Sequence, residues 1–225
     1  MSLLGEAAMV LSFDVAPEAI AEHDDWHTHE HIPERLSIPG FLRGSRWVAV
    51  RGQPRYFVMY EVRELGVLTS AAYLERLNNP TAWTAKLMTS YRGMVRGFCT
   101  VAGSFGLGIG QAGLLLRFKP APGMETRLRK WLLEEQLPQL PSRDGLASAH
   151  LLEAALTPPG TNEQRIRGND ATLDWAVLVT GYSPEKVAAL GVDALGEEGL
   201  TRSGATALVA AVYRMEYLLP HGERG

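Results

Sequence analysis

The chain repeats itself at an offset of 105 residues, the distance from Trp26 to Trp131. At that offset Leu11 meets Leu116, Phe13 meets Phe118, Pro17 meets Pro122, Glu30 meets Glu135, Pro33 meets Pro138, Ser37 meets Ser142 and Gly40 meets Gly145. The alignment needs no gap from residue 11 to residue 47. A Trp, a Pro and a Gly held at the same places relative to one helix and one strand point to a tandem duplication rather than to chance. Each half then needs a fold that is stable when two copies share one core.

The pattern within each half specifies that fold. Apolar runs of strand length cover 8–15, 41–51, 55–63 and 98–105. The run at 55–63 is apolar on both faces, with Tyr56, Val58, Tyr60 and Val62 on one and Phe57 and Met59 on the other. A sheet covered on both sides explains that. Residues 17–36 read as a helix whose first turn suits Pro17 and whose last regular turn should stop just before Pro33. Residues 69–78 form a second helix, and Asn79 is a candidate cap for a further piece starting at Pro80. The order is β-α-β-β-α-β. It recurs with strands at 112–118, 146–156, 173–182 and 205–218 and helices at 122–137 and 184–195.

The expected fold is α+β, with two fused ferredoxin-like β-α-β-β-α-β repeats. A four-stranded sheet with helices on one face leaves the other face bare, and two such sheets bury each other. One chain does this internally as a pseudo-dimeric α+β barrel. The expected division is 1–105 as the first repeat, 106–113 as a glycine-rich flexible linker and 114–225 as the second repeat. Gly108, Gly110 and Gly113 spell G-x-G-x-x-G, but a strand follows rather than the helix a dinucleotide site requires. The second half also carries a long polar loop, 157–172, whose relation to any pocket the sequence does not state.

Composition narrows the function classes. With 46% hydrophobic residues and 21% charged, the chain supports a full core. A net charge of −3 and a pI near 6.1 give no basic footprint for nucleic acid. The single cysteine, Cys99, lies in an apolar strand and reads as a buried thiol. No apolar stretch is long enough to span a bilayer. The opening MSLLGEAAMVLSFDV lacks the basic start of a signal peptide, so a cytoplasmic protein is the expectation.

The candidate chemistry sits in residues 26–47. In the second helix the apolar stripe Met124, Leu128, Trp131 and Leu132 marks the face that meets the sheet. Carried back by the repeat, that stripe holds Ala19, His23, Trp26 and His27 in the first helix, with Glu30 next. A stripe that is greasy in one half is His-rich in the other, and unpaired buried polar groups cost about 1–3 kcal/mol each. His27 and His31 share a helical face. Histidine titrates near neutrality and suits proton transfer, so His31 and His27 are the candidate acid–base residues. Glu30 is a third candidate, weakened because Glu135 repeats it where the histidines are absent. It suits a structural bond to the Trp indole as well.

His23, Arg43, Trp47, Tyr60, Trp83 and Tyr91 are the candidate ligand-binding residues, though such aromatics serve a core equally well. Arg43 and Arg46 could neutralise an anionic group or sit on the barrel rim. His29 should face solvent, and His150 and His221 are assigned no role. His27-Thr28-His29-Glu30-His31 fits H-x-x-E-H, a zinc pattern, but no further ligand is in view and Pro33 interrupts the helix. A two-His metal site and histidines at a helix C-terminus remain as alternatives.

The pattern of Trp26, then His31-Ile32-Pro33, then Pro39-Gly40-Phe41 resembles the EthD-like branch of the dimeric α+β barrel superfamily. The resemblance implies a pocket between sheet and helices for a hydrophobic or aromatic small molecule, with isomerase, cyclase, dehydratase or cofactor-free monooxygenase chemistry. No cofactor and no metal is implied. The second half departs from it, having Gln136 where the first half has His31. Three readings therefore compete: an enzyme using His31 or His27, a non-enzymatic binding protein with the same pocket, and a duplication whose histidines bind metal incidentally. Whether two copies associate further is left open, because the intrachain pseudo-dimer already covers the bare sheet faces.

Overall fold

The computed structural model describes residues 2–158, 160–168 and 170–222. Eight antiparallel strands close into a barrel in the order β1-β3-β2-β9-β5-β8-β6-β4, with β4 returning to β1. In the first half, β1 (Ala7–Val15), β2 (Phe41–Arg51) and β3 (Tyr56–Val62) pair in the order β1-β3-β2. In the second half, β5 (Ala112–Pro120), β6 (Leu146–Leu156) and β8 (Trp175–Gly181) pair as β5-β8-β6. Two long strands, β4 (Tyr91–Gly106) and β9 (Ala205–Pro220), join the halves. β4 pairs β1 through Tyr91–Thr100 and β6 through Phe98–Gly106. β9 pairs β5 from Ala205 to Arg214 and β2 from Val212 to Pro220. Closure removes the exposed edges that an open sheet would present.

The alternation along β3 sets the layers. All seven of its residues are buried. Phe57 and Met59 point into the barrel, where they join Ala8, Val10, Trp47, Cys99, Leu178 and Tyr213. Tyr56, Val58, Tyr60 and Val62 point outward to a second core beneath the first-half helices. A third core, built on Leu116, Leu128, Leu132 and Val177, lies under the helices of the second half.

The first-half helical segment differs from expectation at Pro33. The chain runs through α1 (Ile20–Trp26), a π-helical turn (His27–His31) and α2 (Ile32–Leu36) without stopping. The Ile32 N–H donates to the His27 carbonyl, five residues back. This wider turn makes room for the Pro33 ring, which a tight α-turn would press against the preceding carbonyls. Side chains of the turn bond back to α1: Thr28 Oγ1 donates to Asp24 O at 2.7 Å and His29 Nδ1 to Asp25 O at 3.0 Å. The second half has the same sequence of α5 (Glu125–Lys130) and a π-helical turn (Trp131–Gln136) ahead of Pro138. Gly40 and Gly145, 105 residues apart in the sequence, both have positive φ, at 95° and 86°.

Four further details differ from the sequence reading. Thr81, not Asn79, caps α4 (Ala82–Met88), accepting from the Thr84 N–H, because Asn79 closes α3 (Ala71–Asn78). A second helix, α8 (Glu197–Ser203), follows α7 (Pro184–Ala189) where one was expected. The glycine-rich connection is held against neighbouring backbone at Gly106 and Gly110, where a Cβ would lie 2.1 Å from Ala147 O and 2.2 Å from Gly181 O, while Leu107 and Gly108 between them stand open. Finally, the polar 157–172 segment contains α6 (Asn162–Arg167) and the two-residue strand β7 (Ala171–Thr172), which pairs parallel to β4 beside Val95 and Arg96.

Candidate active site

The π-turn stacks three imidazoles along one face. His23 and His27 have ring centroids 5.1 Å apart with planes 18° from parallel, and His27 and His31 are 5.4 Å apart at 21°. Trp26 lies against His31 at 4.4 Å. All four are buried. The face lies over the outward side chains of β1, β3 and β4, and a cavity remains between them. Its atom-free space is about 390 Å³. The space is narrow and leaves room for roughly two or three waters without side-chain movement.

His27, His31, Tyr60 and Tyr91 line this cavity together with Tyr73. So do Arg35, Arg96, Glu163 and Arg167. The Nδ1 atoms of His27 and His31 and the Tyr60 hydroxyl are buried with no hydrogen-bond partner among the described residues. Polar groups in that state cost free energy unless something occupies the space beside them. Burial drives the His27 and His31 pKa values well below the ordinary imidazole value, and the Arg35 charge adds to this at both rings. Both rings are therefore neutral at pH 7. Burial also raises the Tyr60 and Tyr91 pKa values, so both hydroxyls keep their protons.

The wall opposite the histidines comes from the other half of the chain. α6 lies against α3 and α4 as a strap. Glu163 on the strap accepts from Arg35 Nη2, and Arg35 Nη1 donates to Glu34 at 2.9 Å. Burial alone would lower the Arg35 pKa, but the carboxylates of Glu163 and Glu34 hold it above its ordinary value. The strap is pinned at one end where the Asn162 side chain donates to Asn78 O at 2.5 Å, and at the other by β7.

Several other residues read from sequence lie elsewhere. Trp47 is inside the barrel, its indole donating to Ser45 Oγ at 2.9 Å, because its position on β2 points inward. Arg43 is paired with Glu61 at the end of the barrel at 2.7 Å. Arg46 donates to Asp24 O at 2.9 Å and to Thr28 Oγ1 at 3.1 Å, tying β2 to the helix. Trp83 donates to Glu22 at 3.1 Å, away from the cavity. His23 stacks on His27 but has its own partners, Asp24 Oδ1 and Tyr91 Oη, each at 3.2 Å. His150, assigned nothing from sequence, is buried in the barrel between Ser104 and Ser148. Burial takes its pKa down to about 3. Cys99 is also inside the barrel, and burial pushes its thiol up to about 12.

Glu30 is committed to structure. One carboxylate oxygen accepts from the Trp26 indole at 3.1 Å, from Thr81 at 2.5 Å and from Thr84 at 3.3 Å, and Glu30 does not line the cavity. Glu30→Ala is expected to lower the unfolding free energy by about 1–3 kcal/mol, since it removes the acceptor that Trp26, Thr81 and Thr84 share. Urea denaturation measures this, and ligand binding by the folded variant should stay at the wild-type level.

Sequence reading missed Arg35, Tyr73, Arg96, Glu163 and Arg167. Arg35 had a signal: it continues the i, i+4 series from His27 and His31. Among the described residues no group of three or more His, Cys, Asp or Glu side chains converges in a way that could hold a metal ion. His27 and His31 stack instead of converging. In the second half Leu128 and Leu132, which replace His23 and His27, are fully packed in the core.

No family model and no curated protein matches the chain by sequence. Solved structures match it in shape. An anthrone oxidase-like protein superposes with a TM-score of 0.69 at 15% identity, over 99% of this chain and 97% of the other. A protein assigned as a monooxygenase from Fusobacterium nucleatum gives 0.64 at 8% identity, over 96% and 94%. Another with that assignment, from Lactobacillus acidophilus, gives 0.57 at 8% identity, over 96% of each chain. The fold is the dimeric α+β barrel. At such identities the likeness concerns the fold alone. Among the described residues no helix is long and apolar enough to cross a membrane.

Proposed function

We propose that this dimeric α+β barrel is a small-molecule enzyme performing cofactor-free acid–base chemistry on a hydrophobic or aromatic compound. His27 and His31 are its catalytic residues. The observation that carries this is the pair of neutral imidazoles, each with an unpartnered buried Nδ1, lining a cavity walled by Tyr60, Tyr73 and Tyr91. A neutral imidazole accepts a proton. Burial makes these rings weak bases, but a ligand that gives up a proton becomes an anion beside the new imidazolium. Their attraction in a dry site offsets part of that penalty.

The anthrone oxidase-like neighbour suggests the first compound to test. One histidine would take a proton from the ring methylene of an anthrone, leaving a resonance-stabilised carbanion. Dioxygen adds to that carbon, and loss of one water leaves the quinone, so the substrate is oxidised by two electron pairs and dioxygen is reduced to water plus the new carbonyl oxygen. The narrower EthD-like reading rests on Trp26, His31-Ile32-Pro33 and Pro39-Gly40-Phe41. Tandem duplication, with 1–105 and 114–225 as its halves, is supported by the shared π-turns, prolines and positive-φ glycines. On this reading the second half kept the frame and lost the histidines.

An oxygen electrode combined with quinone absorbance tests the proposal. The wild-type protein should consume one dioxygen per quinone formed, and His27→Gln and His31→Gln should each lower kcat about 100-fold, the size of a lost general base. Rates unaffected by either substitution, or no turnover of any anthrone or related phenol, overturn it. Binding without turnover supports the second reading, a ligand-binding protein with the same cavity.

A further inference from the structure

The charges around the cavity do not balance. Arg35, Arg96 and Arg167 line it, and Glu163 is the lining carboxylate. Asp170 lies just behind, and Glu34 is shared between Arg35 and the more exposed Arg76. Four guanidinium groups thus meet three carboxylates. Two of the arginines are well served. Arg35 bonds to Glu34 and Glu163 through separate nitrogens. Arg167 holds both oxygens of Asp170, through Nε at 2.8 Å and Nη2 at 2.5 Å.

That leaves Arg96 as the residue with the surplus charge. Its side chain is 2% exposed. Its Nε lies 3.0 Å from the Asp170 oxygen that Arg167 already holds, but neither Nε nor Nη2 has a hydrogen-bond partner among the described residues. The Phe98 ring beneath the guanidinium, 5.3 Å away, offers no acceptor lone pair. The three titration behaviours agree with this. Burial pulls at all three arginines, yet Arg35 and Arg167 end above their ordinary values because carboxylates face them, whereas Arg96 ends below. A buried, under-bonded guanidinium is expensive, and it is well suited to a carboxylate, which meets its planar fork with two oxygens.

We propose that the cavity takes a ligand bearing a single carboxylate on its hydrophobic or aromatic body, and that Arg96 is the residue that binds it. The inference rests on the reading of the cavity as a ligand site and names the class of that ligand. β7 supports the geometry: it pairs with β4 at Val95 and Arg96 and fixes the strap next to this anchor. The carboxylate and the reacting part of the ligand would then sit at separate places, the first at Arg96 and the second at His27 and His31.

Benzoate and benzamide, which share a ring and differ in charge, test this by calorimetric titration. Wild-type protein should bind benzoate at least 10-fold more tightly than benzamide. Arg96→Met should abolish that preference while leaving benzamide binding unchanged, and Arg96→Lys should keep part of it. The unfolding midpoint of Arg96→Met without ligand should be unchanged or raised, since a poorly bonded buried charge is removed. A clear drop in that midpoint assigns Arg96 a structural role and overturns the proposal. So do equal affinities for the two probes, binding of neither, or a preference that survives in Arg96→Met. Oxygen uptake with a neutral anthrone is read separately: if it proceeds while benzoate shows no preference, the enzyme reading stands and the carboxylate inference alone falls.

Discussion

Arg35→Ala is expected to lower the unfolding free energy by about 3–5 kcal/mol, a large share of what holds a domain together. Arg35 is 1% exposed and the Glu163 side chain 3%. The substitution leaves Glu163 buried with its charge uncompensated and Glu34 without its nearest cation. The pair was costly to desolvate, so its value lies in being complete. Arg35→Met/Glu163→Gln should therefore recover most of the loss, because no buried charge remains. The pair also joins α2 of the first half to the strap of the second. The single variant should thus admit protease or deuterium at 157–172 before the rest of the barrel. Urea unfolding of the two single variants and the double variant measures the coupling. A loss below about 1 kcal/mol in Arg35→Ala contradicts this account of the strap.

The second large effect is acid lability. His23, His27, His31 and His150 all have folded-state pKa values below their unfolded one, because burial disfavours the charged ring. Between the folded and unfolded values the unfolded chain binds more protons, so stability is full above pH 6.5 and falls as pH drops below it. At pH 5.5 a ring held neutral in the folded chain and free to protonate in the unfolded one, as His150 is, costs about 1.4 kcal/mol. Glu34 and Glu61, raised by burial, act in the opposite direction, nearer the carboxylate range. Urea titrations at pH 7.5 and 5.5 should show the difference. His27→Gln/His31→Gln should remove about half of the pH dependence while leaving the His23 and His150 parts. A stability that is flat between these pH values contradicts the burial of neutral histidines.

The barrel was legible because its physics is periodic. The bifacial apolar pattern of β3 and the offset-105 matches called for two sheets that bury each other, and closure through β4 and β9 follows from it. The inward stripe of histidines was legible for the same reason, since Leu128 and Leu132 supplied a control within the chain. Pro33 misled because proline reads as a stop, whereas the wider π-turn lets the helix pass it. The strap was hidden because its value is non-local. Glu163 and Arg167 sit in a polar stretch indistinguishable from a surface loop until it is folded over the first half. Trp47 and Arg43 show the reverse: their side chains look suited to a ligand, but a strand's two-residue period sends Trp47 into the barrel and Glu61 engages Arg43 at its end.

The central claim is that a ligand meets the chain at His27 and His31. Nitrogen NMR of the histidine rings, titrated with 1,8-dihydroxyanthrone without oxygen, tests this most directly. Before addition, His27 and His31 should give neutral-ring spectra at pH 7. On addition their resonances should shift, while those of His29 and His221 stay in place. Shifts confined to His29 and His221, or no shift at any ring at saturating ligand, would contradict the account.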